Sequence, residues 1–209
     1  MDGCWVPLNI KNVFNGGIIS ASNRYVSVSG VAGEIVGGIA GYGVNVEAIN
    51  CYNKGEIKFS RYNTGGIIGE TGGTNSNFLN CYNMGNIYAK DGCAGGINGE
   101  AGSNSIFLNC HNTGSIASDP TSTNSGRTKL GEIYGLYYSS ATVENCTFLN
   151  KETNANSNGA TGKDNMDDTM SLSNFVTLMN SYVTENNNDP TKEKLNTWTL
   201  KDGVPVFAK

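Results

Sequence analysis

Four cysteines, Cys51, Cys81, Cys110 and Cys146, follow one another at intervals of 30, 29 and 36 residues, and Val13 holds the same slot 38 residues before the first. Such a series raises metal and disulfide chemistry. Zinc sites pair cysteines roughly two to four residues apart, with partners converging on a tetrahedral centre; these lie about one repeat apart and point the same way. Side chains stacked at the strand spacing of about 4.8 Å keep their Cβ atoms farther apart than the roughly 3.8 Å a bridge favours. With valine accepted in the slot, the column reads as buried, unreactive thiols, ahead of a disulfide or a metal site. No metal and no cofactor is assigned, and Cys4 and Cys93 lie outside the column.

Other residues could support catalysis. Glu70 and Glu100 occupy equivalent slots, so stacking would set two carboxylates about 5 Å apart, near the spacing used by retaining glycosidases. The same slot holds Tyr42 and Leu136 in neighbouring copies, which points to the repeat rather than to a reaction. His111 is the one histidine, and no HExxH sequence exists, so neither a serine-type triad nor a zinc peptidase is supported. DNMDD at 164–168 lacks the spacing of an EF-hand loop. The chain reads as non-enzymatic, with no catalytic residues.

Binding chemistry is better represented. The residue after each cysteine slot is Phe14, Tyr52, Tyr82, His111 and Thr147; beside an inward cysteine it should face outward. Tyr52, Tyr82 and His111 are therefore candidate ligand-binding residues, since exposed aromatic faces serve sugars and protein anchors. The competing reading is that the rings stiffen the sheet surface or lie under a flanking element. A second polar-aromatic strip joins Arg24, Tyr25, Arg61, Tyr62 and Lys90, from which Arg24, Arg61 and Tyr62 are taken as candidate binding residues.

The elements that must position these residues are repeats. Asparagine precedes the slot in all five copies, at Asn12, Asn50, Asn80, Asn109 and Asn145, as expected for a corner in the left-handed conformation with amides bonding from coil to coil. Three residues before the slot stand Ile10, Ala48, Phe78, Phe107 and Val143, and six after it Ile19, Ile57, Ile87 and Ile116. Upstream lies a glycine block: VGGIAG at 36–41, TGGIIG at 64–69, AGGING at 94–99 and the degraded LGEIYG at 130–135. Each unit reads as three short strands. Burying four or so apolar side chains, at roughly 1.5–3 kcal/mol each, cannot offset ordering some thirty residues at about 1–2 kcal/mol apiece. One unit alone is therefore unfolded, and stacking into a parallel β-solenoid supplies the missing contacts. A β-propeller blade needs about 40 to 45 residues and four strands, which fits less well.

These residues carry a family likeness. GGIIGETGGTNSNFLNCYNMGNI (65–87) and its neighbours resemble the GLUG motif, a glycine-rich repeat found in tandem in bacterial surface proteins and adhesins, over about residues 10–150. The resemblance implies a right-handed parallel β-helix of about five three-stranded coils at 1–150, outside a bacterial cell, with an adhesive role. Residues 131–150 depart from the pattern.

The tail differs. After a linker at 151–168, Phe175, Val176, Leu178, Met179, Tyr182 and Val183 recur at helical spacing, with Ser171 or Ser173 as cap. NTWTL and VPVF, joined by KDG, read as a hairpin. Helix and hairpin, at 169–209, are expected to cap the open C-terminal end of the solenoid. A net charge of −4 and pI near 5.0 exclude a nucleic-acid partner, and no apolar run approaches a membrane span. The expectation is a monomeric excerpt of a secreted or surface-anchored protein. It presents sheet faces and corner loops at 20–36 and 117–130 to a host protein or glycan. A stalk between neighbouring domains is the alternative, and a polysaccharide-cleaving β-helix the third reading.

Overall fold

A computed structural model of the chain describes residues 7–17, 19–20, 35–60, 62–90, 92–118, 129–137, 139–148, 164–165 and 171–208. Arg24, Tyr25 and Arg61, Cys4, Asp167 and Asp168, and most of the two long corner loops lie outside them.

The repeat folds as a parallel solenoid. Asn9–Lys11, Glu47–Ile49, Asn77–Leu79, Ser105–Leu108 and Ala141–Glu144 lie side by side in one five-stranded sheet, each one coil beyond the last. Register follows the repeat: Phe78 faces Ala48 and Phe107 across its two neighbours, and Ile87 faces Ile57 and Ile116. The expected three strands per coil appear as five short pairing segments, because glycine and asparagine corners interrupt each of them. All five corner asparagines have the expected positive φ, from 50° at Asn145 to 59° at Asn12. Asn45, Asn75 and Asn104 form a second left-handed column that the sequence reading does not anticipate.

The interior is built from columns. Ala48, Phe78 and Phe107 are buried beside Cys51, Cys81, Cys110 and Cys146, with Ile67, Ile97 and Ile133 opposite. The rings of Phe78 and Phe107 stack at 4.8 Å and 7°. Each thiol donates back to the preceding coil, Cys81 to Ala48 O, Cys110 to Phe78 O and Cys146 to Phe107 O, all at 3.4 Å. Cys51, Cys81, Cys110 and Cys146 are buried and in the thiol form, Cys93 is buried as well, and burial pushes the Cys110 thiol well above its ordinary pKa. Among the described residues no group of metal-ligating side chains assembles.

A ladder of amides runs through the stack two residues after the cysteine slot. Asn15 Nδ2 donates to Asn53 Oδ1, Asn53 to Asn83 and Asn83 to Asn112, at 2.7–2.8 Å. Each of Asn15, Asn53, Asn83 and Asn112 also donates to the carbonyl two residues on, at Gly17, Gly55, Gly85 and Gly114, so the buried polar groups are satisfied along and across the axis. In the last coil Phe148 replaces the asparagine, and Glu132 replaces the second glycine of the GG block. Asn112 Nδ2 donates to Glu132 Oε2 at 2.8 Å, so the carboxylate closes the ladder.

The tail forms the expected elements in an unexpected place. A helix spans Leu172–Asn188, with Ser171 accepting from Asn174 N at its start. Trp198–Lys201 and Val204–Phe207 form an antiparallel hairpin. Its turn places Asp202 at φ 53° and Gly203 at φ 75°, the pair of positive angles that a type I′ turn requires. The tail does not cap the C-terminal end of the stack, as the sequence reading expects. It lies along the side, where Phe175, Val176, Met179, Val183, Leu195 and Trp198 cluster with Ile49 and Tyr82. The reason is chemical: the outward aromatic column and the corner amides offer a long partly apolar face, whereas at the end of the stack Thr147–Phe148 is already paired, in parallel, with the strand Asp164–Asn165.

Candidate functional site

The predicted binding column does point away from the solenoid interior, but the tail covers it. Tyr82 is 1% exposed and His111 0%. Tyr82 meets Phe175 and Trp198 edge-on, at 5.9 and 5.5 Å, and its hydroxyl pairs with Thr113 Oγ1 at 2.6 Å. Burial pushes its pKa up. Tyr52 is half-buried, sandwiched between Phe14 at 5.1 Å and the edges of Trp198 and Phe207. These rings anchor the tail, and in this arrangement Tyr82 and His111 are out of reach of a ligand.

Corner amides complete the tail's docking. Asn50 Oδ1 accepts from Asn196 N at 3.0 Å and Asn50 Nδ2 donates to Lys194 O; Asn80 Nδ2 donates to Asn196 O, and its Oδ1 accepts from Trp198 Nε1 at 2.7 Å. Asn109 Nδ2 donates to Met179 O of the helix. The side-chain amides thus read a peptide backbone as a β-strand would.

His111 is held neutral. Asn109 Oδ1 accepts from Nε2 at 3.0 Å, so Nδ1 accepts from the Thr147 hydroxyl at 2.6 Å, and Phe175 lies edge-on at 5.4 Å. Burial holds its pKa down at about 3. Glu132 is its counterpart: burial pushes the carboxyl up to about 7, against the hydrogen bond from Asn112. The signs oppose. His111 contributes stability that is complete above its unfolded value near 6.5 and is lost as pH falls toward 3. Glu132 contributes stability that is complete below its unfolded value near 4.5 and is lost as pH rises through 7. Between pH 7 and pH 5 each term changes by about 2 kcal/mol, in opposite directions. Denaturation at the two pH values is expected to show His111→Gln gaining about 2 kcal/mol on acidification relative to the unaltered chain, and Glu132→Gln losing about the same. Parallel pH curves for all three proteins would refute this assignment.

One described surface gathers exposed chemistry. On the sheet of Ala40–Val44, Ile68–Gly72, Asn98–Ala101 and Tyr134–Tyr137, the residues Tyr42, Glu70, Glu100 and Leu136 lie in one row. The adjoining corner brings Asn63 over this row, where its Nδ2 donates to Glu70 Oε2 at 2.9 Å and also to Glu100 Oε2. Burial, and the neighbouring Glu100 charge, push the Glu70 carboxyl up against that hydrogen bond. Cys93, buried behind the corner, donates its backbone N–H to Asn63 Oδ1, and burial with the Glu100 charge raises its thiol to about 12. That thiol is therefore protonated and a poor nucleophile. Tyr62, next to Asn63, is 36% exposed, and Tyr42 46%.

The chain matches no family model, no curated protein and no solved structure. The resemblance to the GLUG motif thus stands on the repeat residues themselves. Of the predicted binding residues, Tyr62 remains at the surface, Tyr52 is half-covered, Tyr82 and His111 are covered, and Arg24 and Arg61 fall outside the described residues. Tyr42, which the sequence reading treats only as a break in the glutamate column, is the addition. Its signal was legible: an aromatic in the same slot as two carboxylates. Among the described residues no helix is long and apolar enough to cross a membrane.

Proposed function

We propose that this chain is a non-enzymatic, adhesin-like module of a secreted or cell-surface bacterial protein, built on GLUG-type repeats, that binds a host protein or glycan. The observation that carries the reading is the row of Tyr42, Glu70 and Glu100 with Tyr62 at its rim. It lies on a sheet other than those under the tail. Aromatic faces beside paired carboxylates suit the mixed apolar and hydroxyl surface of a sugar, or an aromatic-tolerant protein patch. The Asn63 bridge holds both carboxylates in place, so little side-chain freedom is lost on binding.

A glycan array and a panel of immobilised host glycoproteins test this. Binding is expected, weakened at least tenfold in a Tyr42→Ala, Tyr62→Ala variant, since aromatic anchors dominate interfaces of this kind. Binding to nothing favours a stalk between domains, a role that the axial amide ladder would serve. Release of reducing ends from a polysaccharide, lost in Glu70→Gln, would instead make the glutamate pair catalytic.

A further inference from the structure

The one histidine of the chain lies under the tail. His111 occupies the outward slot of the fourth coil, yet it is fully buried. The helix covers it: Phe175 meets the ring edge-on at 5.4 Å, and Asn109 ties ring to helix, its Oδ1 accepting from His111 Nε2 while its Nδ2 donates to Met179 O. Tyr82, one coil before, is covered in the same way by Phe175 and Trp198.

This seat suits a neutral imidazole. Nδ1 accepts from the Thr147 hydroxyl, so a second ring proton meets a donor rather than an acceptor. No anion answers the charge from any side. Along the stack, the Tyr82 hydroxyl is paired with Thr113, and the Glu132 carboxyl is reached only through Asn112. The Cys110 thiol, beside His111 in sequence, is held protonated by burial, and Asp164 stands in register beyond Thr147, a further coil away. On the helix side the titratable neighbour is Tyr182, and the charges of Glu144 and Glu185 act on that phenol. A charged ring in such a place is strongly disfavoured. The interior columns of the stack form a cluster of their own that includes no residue of the tail.

We infer that the tail is a proton-sensitive cover: His111 takes up a proton only when helix and stack part, so acidification loosens residues 171–208 and uncovers Tyr82 and Tyr52 while the solenoid interior stays folded. With the tail closed the imidazole pKa is held down at about 3; with the tail parted the ring regains its ordinary value near 6.5. Closure is therefore complete above about pH 6.5 and weakens as pH falls, the opening equilibrium rising about thirtyfold between pH 8 and pH 5. Glu132, which responds in the opposite sense, hydrogen-bonds Asn112 within the stack, so its titration leaves the cover in place. The inference is independent of the proposed ligand row, which lies on another sheet.

Hydrogen exchange of the full chain at pH 8 and pH 5, corrected for the intrinsic pH dependence of exchange, tests this together with NMR of the same protein carrying 13C-labelled histidine. Protection at 174–183 is expected to fall about thirtyfold, in step with the appearance of one protonated imidazole signal. Protection at 64–70 is expected to hold, because Glu132 offsets His111 where the whole chain unfolds. His111→Gln, which cannot take up the proton, should show the same protection at 174–183 at both pH values, and Glu132→Gln should keep the fall there. An equal fall at 64–70 in the unaltered chain, a fall at 174–183 that survives His111→Gln, or a protonated imidazole while 174–183 stays protected overturns the inference. The first and last of these need no variant, so they decide the matter even if His111→Gln does not fold.

Discussion

Gly66→Ala is expected to prevent the stack from folding, at a cost above about 4 kcal/mol, a size reserved for overpacking that the surroundings cannot relax. The added methyl would sit 2.0 Å from Gly96 O and 2.5 Å from Asn83 Cγ. Neither obstacle is the free end of a flexible side chain. Gly96 O belongs to the next coil's backbone, and Asn83 is pinned by donating to Asn112 and to Gly85 O. Moving one coil aside breaks its pairing with both neighbours. Gly16→Ala is the control: nothing lies within 4 Å of its added Cβ, so its effect should stay within about 0.5 kcal/mol. Urea denaturation followed by circular dichroism compares the two, and a well-folded Gly66→Ala protein would refute the close approach of coils at the GG block.

Trp198→Ala should cost about 3–5 kcal/mol, the usual range for truncating a buried aromatic. Trp198 is 2% exposed, packs 4.2 Å from Phe207 and 5.5 Å from Tyr82, and donates to Asn80. Its loss leaves a cavity and deprives the corner amide of a partner in the same step. Hydrogen exchange is expected to rise across 171–208 and at 79–84, with 64–70 still protected, because the interior columns do not include the tail. Equal loss of protection at 64–70 would show that stack and tail fold as one cooperative unit.

The parts of this structure that were legible in the sequence are those that repetition enforces. Asn50, Asn80 and Asn109 announced left-handed corners because one residue type recurred where few side chains tolerate that conformation, and Phe78 and Phe107 announced a column because each coil sees only its neighbours. Direction was legible for Tyr82, which does point outward. Solvent was not, since what covers a face depends on a tail that does not repeat. The apolar stripe of Phe175, Met179 and Val183 showed that the helix had a partner, yet periodicity alone does not say whether that partner is an end or a side. Glu132 and Phe148 were the missed opportunity. Two departures in one coil, at positions that touch in every other coil, mark a coupled substitution.

The corner amides also form a chain along the axis. Asn80 donates to Asn50, Asn109 to Asn80 and Asn145 to Asn109, so their N–H bonds point toward the first coil. The inner ladder from Asn15 to Glu132 points the other way. Hydrogen-bonded chains polarise one another along their length, and a single such chain would give the rod a charge-like head and tail. Two opposed chains cancel. The solenoid gains the cohesion of polarised amides while each added coil contributes side-chain amide dipoles of both senses, so they do not accumulate along the rod as it lengthens.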